Sequence, residues 1–254
     1  MLLPIEIIKY FVLSKGRHGI HSPFVYNFID KCLKTKLKED FLIERANLFS
    51  VIKQSKEIIT VQDFGAGSKK LKKFRKISSL FKTSSSKGKY ADLLYRIADY
   101  YKPNSILEFG TSLGIGTIHL QKGNPSSKIT TIEACNETRG QALKHFESFN
   151  LSINSVNSTF QDYLNDQNIE KFDLIFVDGH HDGTALQRYI EQLEKNSHNE
   201  TMYILDDIRW SSSMFEAWKQ LIQSEKFHVT IDLFRVGIII PRKQQKKQHF
   251  VIRY

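Results

Sequence analysis

The chain has 254 residues, 41% hydrophobic and 25% charged, with 37 Lys and Arg against 27 Asp and Glu for a formal charge of +10. That balance argues against a disordered, collagen-like or membrane-spanning polypeptide, and the length suits one α/β domain with an N-terminal extension. Two cysteines, Cys32 and Cys135, are too few for a disulfide framework or a cysteine-built zinc site and fit a reducing interior.

The first sixteen residues are apolar enough to suggest a secretory signal, but Glu6 and Lys9 interrupt them and no small-residue cleavage site follows. The expectation is a packed helix in a soluble, cytoplasmic protein, because no apolar run approaches the ~20 residues a bilayer requires. The first hundred residues read as helices. Ser22 before Pro23 marks a helix start, and Phe24, Phe28, Leu33 and Leu37 follow at roughly helical spacing. His18 and His21, beside that start, read as packing or capping groups rather than metal ligands.

Val61 to Lys70 contains Asp63, Gly65, Gly67 and Ser68, a look-alike of a cofactor loop that no acid-ended strand follows. It is expected to be a tight turn in a lid. The basic stretch from Lys69 to Lys89 reads as a solvated helix face and a Ser/Lys loop, with attraction for nucleic acid as the alternative. Tyr90 to Tyr101 predicts a helix, ended by Lys102-Pro103-Asn104.

From Ser105 the pattern changes to short apolar runs between helical stretches: 105–109, 128–133, 153–157, 172–178 and 202–207. Such runs indicate a parallel sheet covered on both faces. Residues 229–234 and 236–240, separated by Arg235 alone, predict a tight antiparallel pair, and the final HFVIRY is an edge segment.

The strongest local signal is Ile106 to Leu120. A strand carries Glu108 near its end, Gly110, Gly114 and Gly116 permit a tight turn with close backbone approach, and a helix begins near Thr117. Such a turn binds a nucleoside-bearing ligand, and its glycine spacing departs from the dinucleotide pattern. Glu133 ends the next strand 23 residues after Gly110, where a carboxylate can accept both ribose hydroxyls. Asp178, His180, His181 and Asp182 follow one strand and Asp206 and Asp207 the next, at the strand ends where open α/β sheets bind ligands. Asp178, Asp206 and Asp207 offer oxygen ligands for Mg²⁺, with helix N-caps as the competing role. His181 is of a type that accepts a proton near neutral pH.

With these residues in place, the run from Tyr90 to Ile240 resembles the class I S-adenosylmethionine (SAM)-dependent methyltransferases, of the branch of catechol and caffeoyl-CoA O-methyltransferases. HGIHSPFVYNF and DFGAGS are in addition similar to elements of a group of Bacteroidetes-type methyltransferases. The resemblance implies a Rossmann-like, doubly wound α/β fold with a seven-stranded sheet of order 3-2-1-4-5-7-6, strand 7 antiparallel. Residues 1–89 would be a helical extension and substrate lid, and 90–254 the SAM-binding domain. It also implies that Glu108, Gly110, Thr111, Ser112, Gly114 and Thr117 serve the methionine and sulfonium end, Glu133 the ribose, and Phe160 and Gln161 the adenine. Asp178 and His181 would form the catalytic edge, with Mg²⁺ on Asp178, Asp206 and Asp207.

The chain departs from its relatives at Gly116, where they often carry a hydroxyl, at His181, where the catechol branch has a lysine, and at Asp207, where the pattern has asparagine. The expected activity is O-methylation of a hydroxylated small molecule. RNA as substrate is the alternative, a homodimer is an open assembly, and a NAD-binding oxidoreductase or a non-catalytic interaction protein are the remaining classes.

Overall fold

The computed structural model describes residues 2–62, 73–84, 87–165 and 170–254, so the Asp63–Ser68 turn lies outside the described residues. In chain order, α1 (Leu2–Leu13) and α2 (Pro23–Asn27) precede a π-helical turn over 28–32, and α3 (Glu39–Gln54) leads to β1 (Ile58–Thr60). After β2 (Phe74–Lys76) come α4 (Ile77–Ser84) and α5 (Lys89–Tyr101). β1 and β2 pair antiparallel as a two-stranded sheet, which the helical reading of this region did not include. At three residues each, these strands are too short to show an alternating pattern in sequence.

The Ser22 cap forms as expected, its hydroxyl accepting the Val25 N–H, and Pro23 occupies the first helical position. Val25, Phe28, Ile29 and Cys32 then enter the same apolar cluster as the main sheet. α1 is a helix, but it packs by one face: Glu6 and Tyr10 are buried while Ile5, Ile8, Phe11, Val12 and Leu13 are exposed. Its anchor is Tyr10, whose hydroxyl donates to the Ile252 carbonyl at 2.5 Å and whose ring meets Phe234 at 5.1 Å.

The chain continues with β3 (Ser105–Phe109), α6 (Ile115–Gly123), β4 (Lys128–Ile132), α7 (Asn136–Ser148), β5 (Asn154–Val156), α8 (Phe160–Asn165) and β6 (Leu174–Val177). It ends with α9 (Gly183–Leu193), β7 (Met202–Leu205), α10 (Ser212–Gln223), β8 (Val229–Asp232), β9 (Gly237–Ile240) and β10 (Gln248–Val251). Among the described residues the sheet has eight strands in the order β10-β8-β9-β7-β6-β3-β4-β5. Counted from β3, seven of them give the expected 3-2-1-4-5-7-6. β9 runs antiparallel to both neighbours, and β10 adds an eighth, parallel edge strand from the final segment. No helix among the described residues is long and apolar enough to cross a membrane.

Strand alternation divides the core between the faces. Ile106, Leu174, Phe176, Met202 and Ile204 meet α5 and the residue 25–32 segment. Leu107, Phe109, Ile175, Val177, Tyr203 and Leu205 meet α9 and α10. Both faces are apolar because both are covered, which is why these strands read as continuous hydrophobic runs.

The β8–β9 turn is held by a buried ion pair. The Asp232 carboxylate receives the Arg209 guanidinium through two hydrogen bonds, at 2.9 and 2.7 Å, with the Phe234 N–H at 2.8 Å and the Trp218 indole N–H at 3.3 Å. Removing one partner of such a pair strands the other in a dry environment. Asp232→Ala should therefore lower unfolding free energy by about 3–5 kcal/mol, read from the urea midpoint at constant slope.

Candidate active site

The carboxyl ends of β3, β4, β6 and β7 converge on one edge of the sheet, and the backbone closes there first. Gly110 has φ +101°, and a Cβ built on it would lie 1.8 Å from the Asp178 carbonyl oxygen. Only a glycine lets the loop after β3 approach the end of β6 so closely. The loop then turns through Ser112, at φ 49°, and Gly114, at φ 76°, into α6.

Beneath the loop lies a chain of hydroxyls. Thr117 donates to Glu108 Oε2, Thr131 donates to the same oxygen at 2.6 Å, and Thr111 and Thr131 share a 2.6 Å hydrogen bond. Glu108 Oε1 is buried without a hydrogen-bond partner, beside the position a Gly116 Cβ would take. Burial lifts the Glu108 carboxyl to about 7, against the two threonine hydrogen bonds that favour its charge. Thr111 and Thr117, both buried, thus brace the loop from within the protein. The Gly116 departure has the same cause, since a side chain there would strike the Glu108 carboxylate at 2.9 Å.

Glu133 ties the next strand end to this loop. Its Oε2 accepts the Ser112 N–H at 2.9 Å and its Oε1 accepts the Cys135 N–H at 3.0 Å. Burial raises its pKa while these backbone donors oppose the rise. Each oxygen retains acceptor capacity, because a carboxylate offers about four lone-pair sites.

On the other side Phe160 stacks on Phe109, with ring centroids 4.7 Å apart, and closes against Gly179. Gln161 donates through Nε2 to Asn165 and Gln192, while its Oε1 is buried without a partner. His180 and His181 both have positive φ, 66° and 31°. The His180 Nδ1 lies 2.7 Å from the Tyr189 hydroxyl, whereas Asp182 caps α9 by accepting the Ala185 N–H. Such strain in consecutive non-glycine residues is typical of functional loops.

His181 packs beside Trp210 at 5.5 Å, with its buried Nδ1 lacking a hydrogen bond and 4.0 Å from Asp207 Oδ2. Arg235, from the β8–β9 turn, forms two hydrogen bonds to Asp206, at 2.9 and 2.6 Å, and an ion pair with Asp207 at 3.0 Å. Burial opposes the Arg235 charge, but Asp206, then Asp207 and Asp178, hold its pKa above the ordinary value. Asp207 is raised by burial and by Asp206, with Arg235 and His181 acting against the rise.

The expected Mg²⁺ ligands therefore do not fit a metal: a guanidinium already occupies the oxygens of two of the three carboxylates. No group of three or more metal-binding side chains occurs among the described residues. The sequence reading passed over Arg235, treating it only as a strand separator. The signal available was one arginine in a tight turn opposite a strand ending in two aspartates.

Against this geometry stand the comparisons. A family model described as a methyltransferase domain matches residues 107–208. The matched segment runs from β3 to just past β7 and so contains the glycine loop, Glu133, Phe160, His181 and the paired aspartates. Solved structures share the fold. An O-methyltransferase from Bacillus cereus in complex with SAH is 19% identical, with TM-score 0.53, covering 62% of this chain and 83% of that one. The SAH-bound methyltransferase PaMTH1 from Podospora anserina is 12% identical, with TM-score 0.55, covering 85% and 99%. A cofactor-bound protein from MTB is 15% identical, with TM-score 0.58, covering 88% and 98%. No curated protein matches the chain in sequence.

Gly110→Ala should cost at least about 2 kcal/mol, from left-handed backbone strain together with the carbonyl clash; thermal melts of the two proteins measure it. Glu108 gives a second test. A folded-state pKa of about 7, against the ordinary 4.5, means the native state holds this proton where the unfolded chain has lost it. Its contribution is full below pH 4.5 and disappears as pH rises to about 7. Glu108→Gln should remove a decline of up to about 3 kcal/mol across that window, seen by comparing urea melts of both proteins at its two ends.

Proposed function

We propose that the protein is a SAM-dependent O-methyltransferase acting on a small hydroxylated molecule. The observation that carries this reading is the bond from the Ser112 N–H to Glu133, which fixes a carboxylate against a glycine loop inside a methyltransferase domain.

The residues fit the cofactor. The loop is set by Gly110 against the end of β6 and by Gly114 against Phe146 of α7, Glu133 has acceptor capacity left for the ribose hydroxyls, and the unpartnered Gln161 Oε1 beside Phe160 suits an exocyclic amine. Bound SAM would supply an electrophilic methyl, the carbon–sulfur bond breaking with its electron pair left on sulfur while a carbon–oxygen bond forms. The protein's task is alignment, which alone can contribute about 7–11 kcal/mol to a bimolecular step.

His181 would accept the hydroxyl proton. Its unpartnered Nδ1 lies 4.0 Å from Asp207 Oδ2, and that charge would stabilise the imidazolium. Asp178, at the Gly110 contact, would orient the reacting end. Water exclusion would come from the N-terminal segment, because Tyr10 rests on Phe234, and from the next helix, whose Tyr90 ring lies 5.3 Å from the Arg235 guanidinium.

Calorimetry with SAH should give one site on the wild-type chain. Glu133→Ala should weaken it at least about tenfold, since hydrogen bonds to a charged group contribute about 1.5–3 kcal/mol. His181→Ala should retain SAH affinity yet lower kcat about 10²–10⁴-fold, measured with methyl-labelled SAM and a panel of hydroxylated acceptors. Absence of SAH heat from the wild-type chain would refute the cofactor, and full turnover by His181→Ala would refute the base.

A further inference from the structure

We infer that this site works without a divalent cation, because the guanidinium of Arg235 stands in the cation's place. The inference rests on the methyl-transfer reading for its meaning and on the geometry of the acidic edge for its support. Asp206 and Asp207 end β7 at the active edge of the sheet, and Asp206 is almost wholly buried. Two adjacent carboxylates in a dry setting require a positive partner. Arg235 supplies it through both Asp206 oxygens and an Asp207 oxygen.

The partner is built in. Arg235 follows Phe234 in the turn that Asp232 fixes, and the Arg235 carbonyl accepts the Ile208 N–H at 2.9 Å, joining this turn to the loop after Asp207. The Tyr90 ring lies 5.3 Å from the guanidinium carbon on a further side. Mg²⁺ takes six oxygen ligands at about 2.0–2.1 Å; on these carboxylates it would have to displace a bidentate, oriented guanidinium. Arg235 is thus a positioning residue. It holds Asp206 and Asp207 in place, and Asp207 in turn lies 4.0 Å from His181 Nδ1.

Mn²⁺, a paramagnetic substitute for Mg²⁺, is titrated into the full chain with and without SAH, and the electron-paramagnetic signal of free Mn²⁺ is followed. The wild-type protein should leave that signal unattenuated in both cases. Arg235→Ala should expose the carboxylates and attenuate it, and Arg235→Lys, which keeps a positive charge without the planar fork, should attenuate it less than Arg235→Ala does.

Stoichiometric Mn²⁺ uptake by the wild-type chain, abolished by Asp206→Asn, would overturn the inference. So would a folded Arg235→Ala protein that takes up no Mn²⁺. Should circular dichroism show that Arg235→Ala does not fold, the wild-type titration and its Asp206→Asn control decide alone. Loss of SAH binding in calorimetry would defeat the methyl-transfer reading and leave the Mn²⁺ result intact.

Discussion

The contact between Gly110 and the Asp178 carbonyl is the constraint on which the site depends. Two neighbouring parallel strands, β3 and β6, end side by side, and their following loops must separate to the two faces of the sheet. At that divergence a crevice forms, as open α/β sheets require. Gly110 narrows the crevice floor to backbone alone. Ser112 can then reach Glu133, and Phe109 presents its ring to Phe160. A side chain at position 110 would separate these relations together, since each depends on the loop resting against β6.

Charge is organised around two arginine–aspartate pairs that share one turn. Arg209 and Asp232 form the inner pair and hold Phe234 at positive φ; Arg235, one residue later, forms the outer pair with Asp206 and Asp207. The inner pair is structural and costs desolvation, in return for which the turn has one conformation. The outer pair inherits that rigidity. A fixed cation against Asp206 and Asp207 holds the acidic edge in place in a partly buried site, which a flexible lysine would accomplish less well because its charge is a mobile point rather than a planar fork.

Much of the sheet was legible because its strands are buried on both faces. Runs such as LIFV and MYIL carry no polar interruption, and their spacing by helical stretches admits few topologies. Gly110, Gly114 and Glu133 were legible for a related reason: glycine freedom and an acid at a strand end are local properties. Roles that depend on partners distant in sequence were not. Thr117 and Thr131 meet at Glu108 only once β3, β4 and α6 are assembled, so the loop's inner bracing has no one-dimensional signature. Arg235 is separated from Asp206 by 29 residues, and nothing in the intervening sequence announces their contact. The short β1 and β2 strands escaped because three-residue elements carry no period, and the exposed side of α1 because its apolar residues encircle the helix.

The most direct examination of the account is a crystal structure of the wild-type chain soaked with SAH. Density for the adenosyl group should lie over Gly110–Gly114, with its ribose hydroxyls on the Glu133 carboxylate and its sulfur facing the edge formed by Asp178 and His181. Density in another part of the molecule, or a ribose turned away from Glu133, would contradict it.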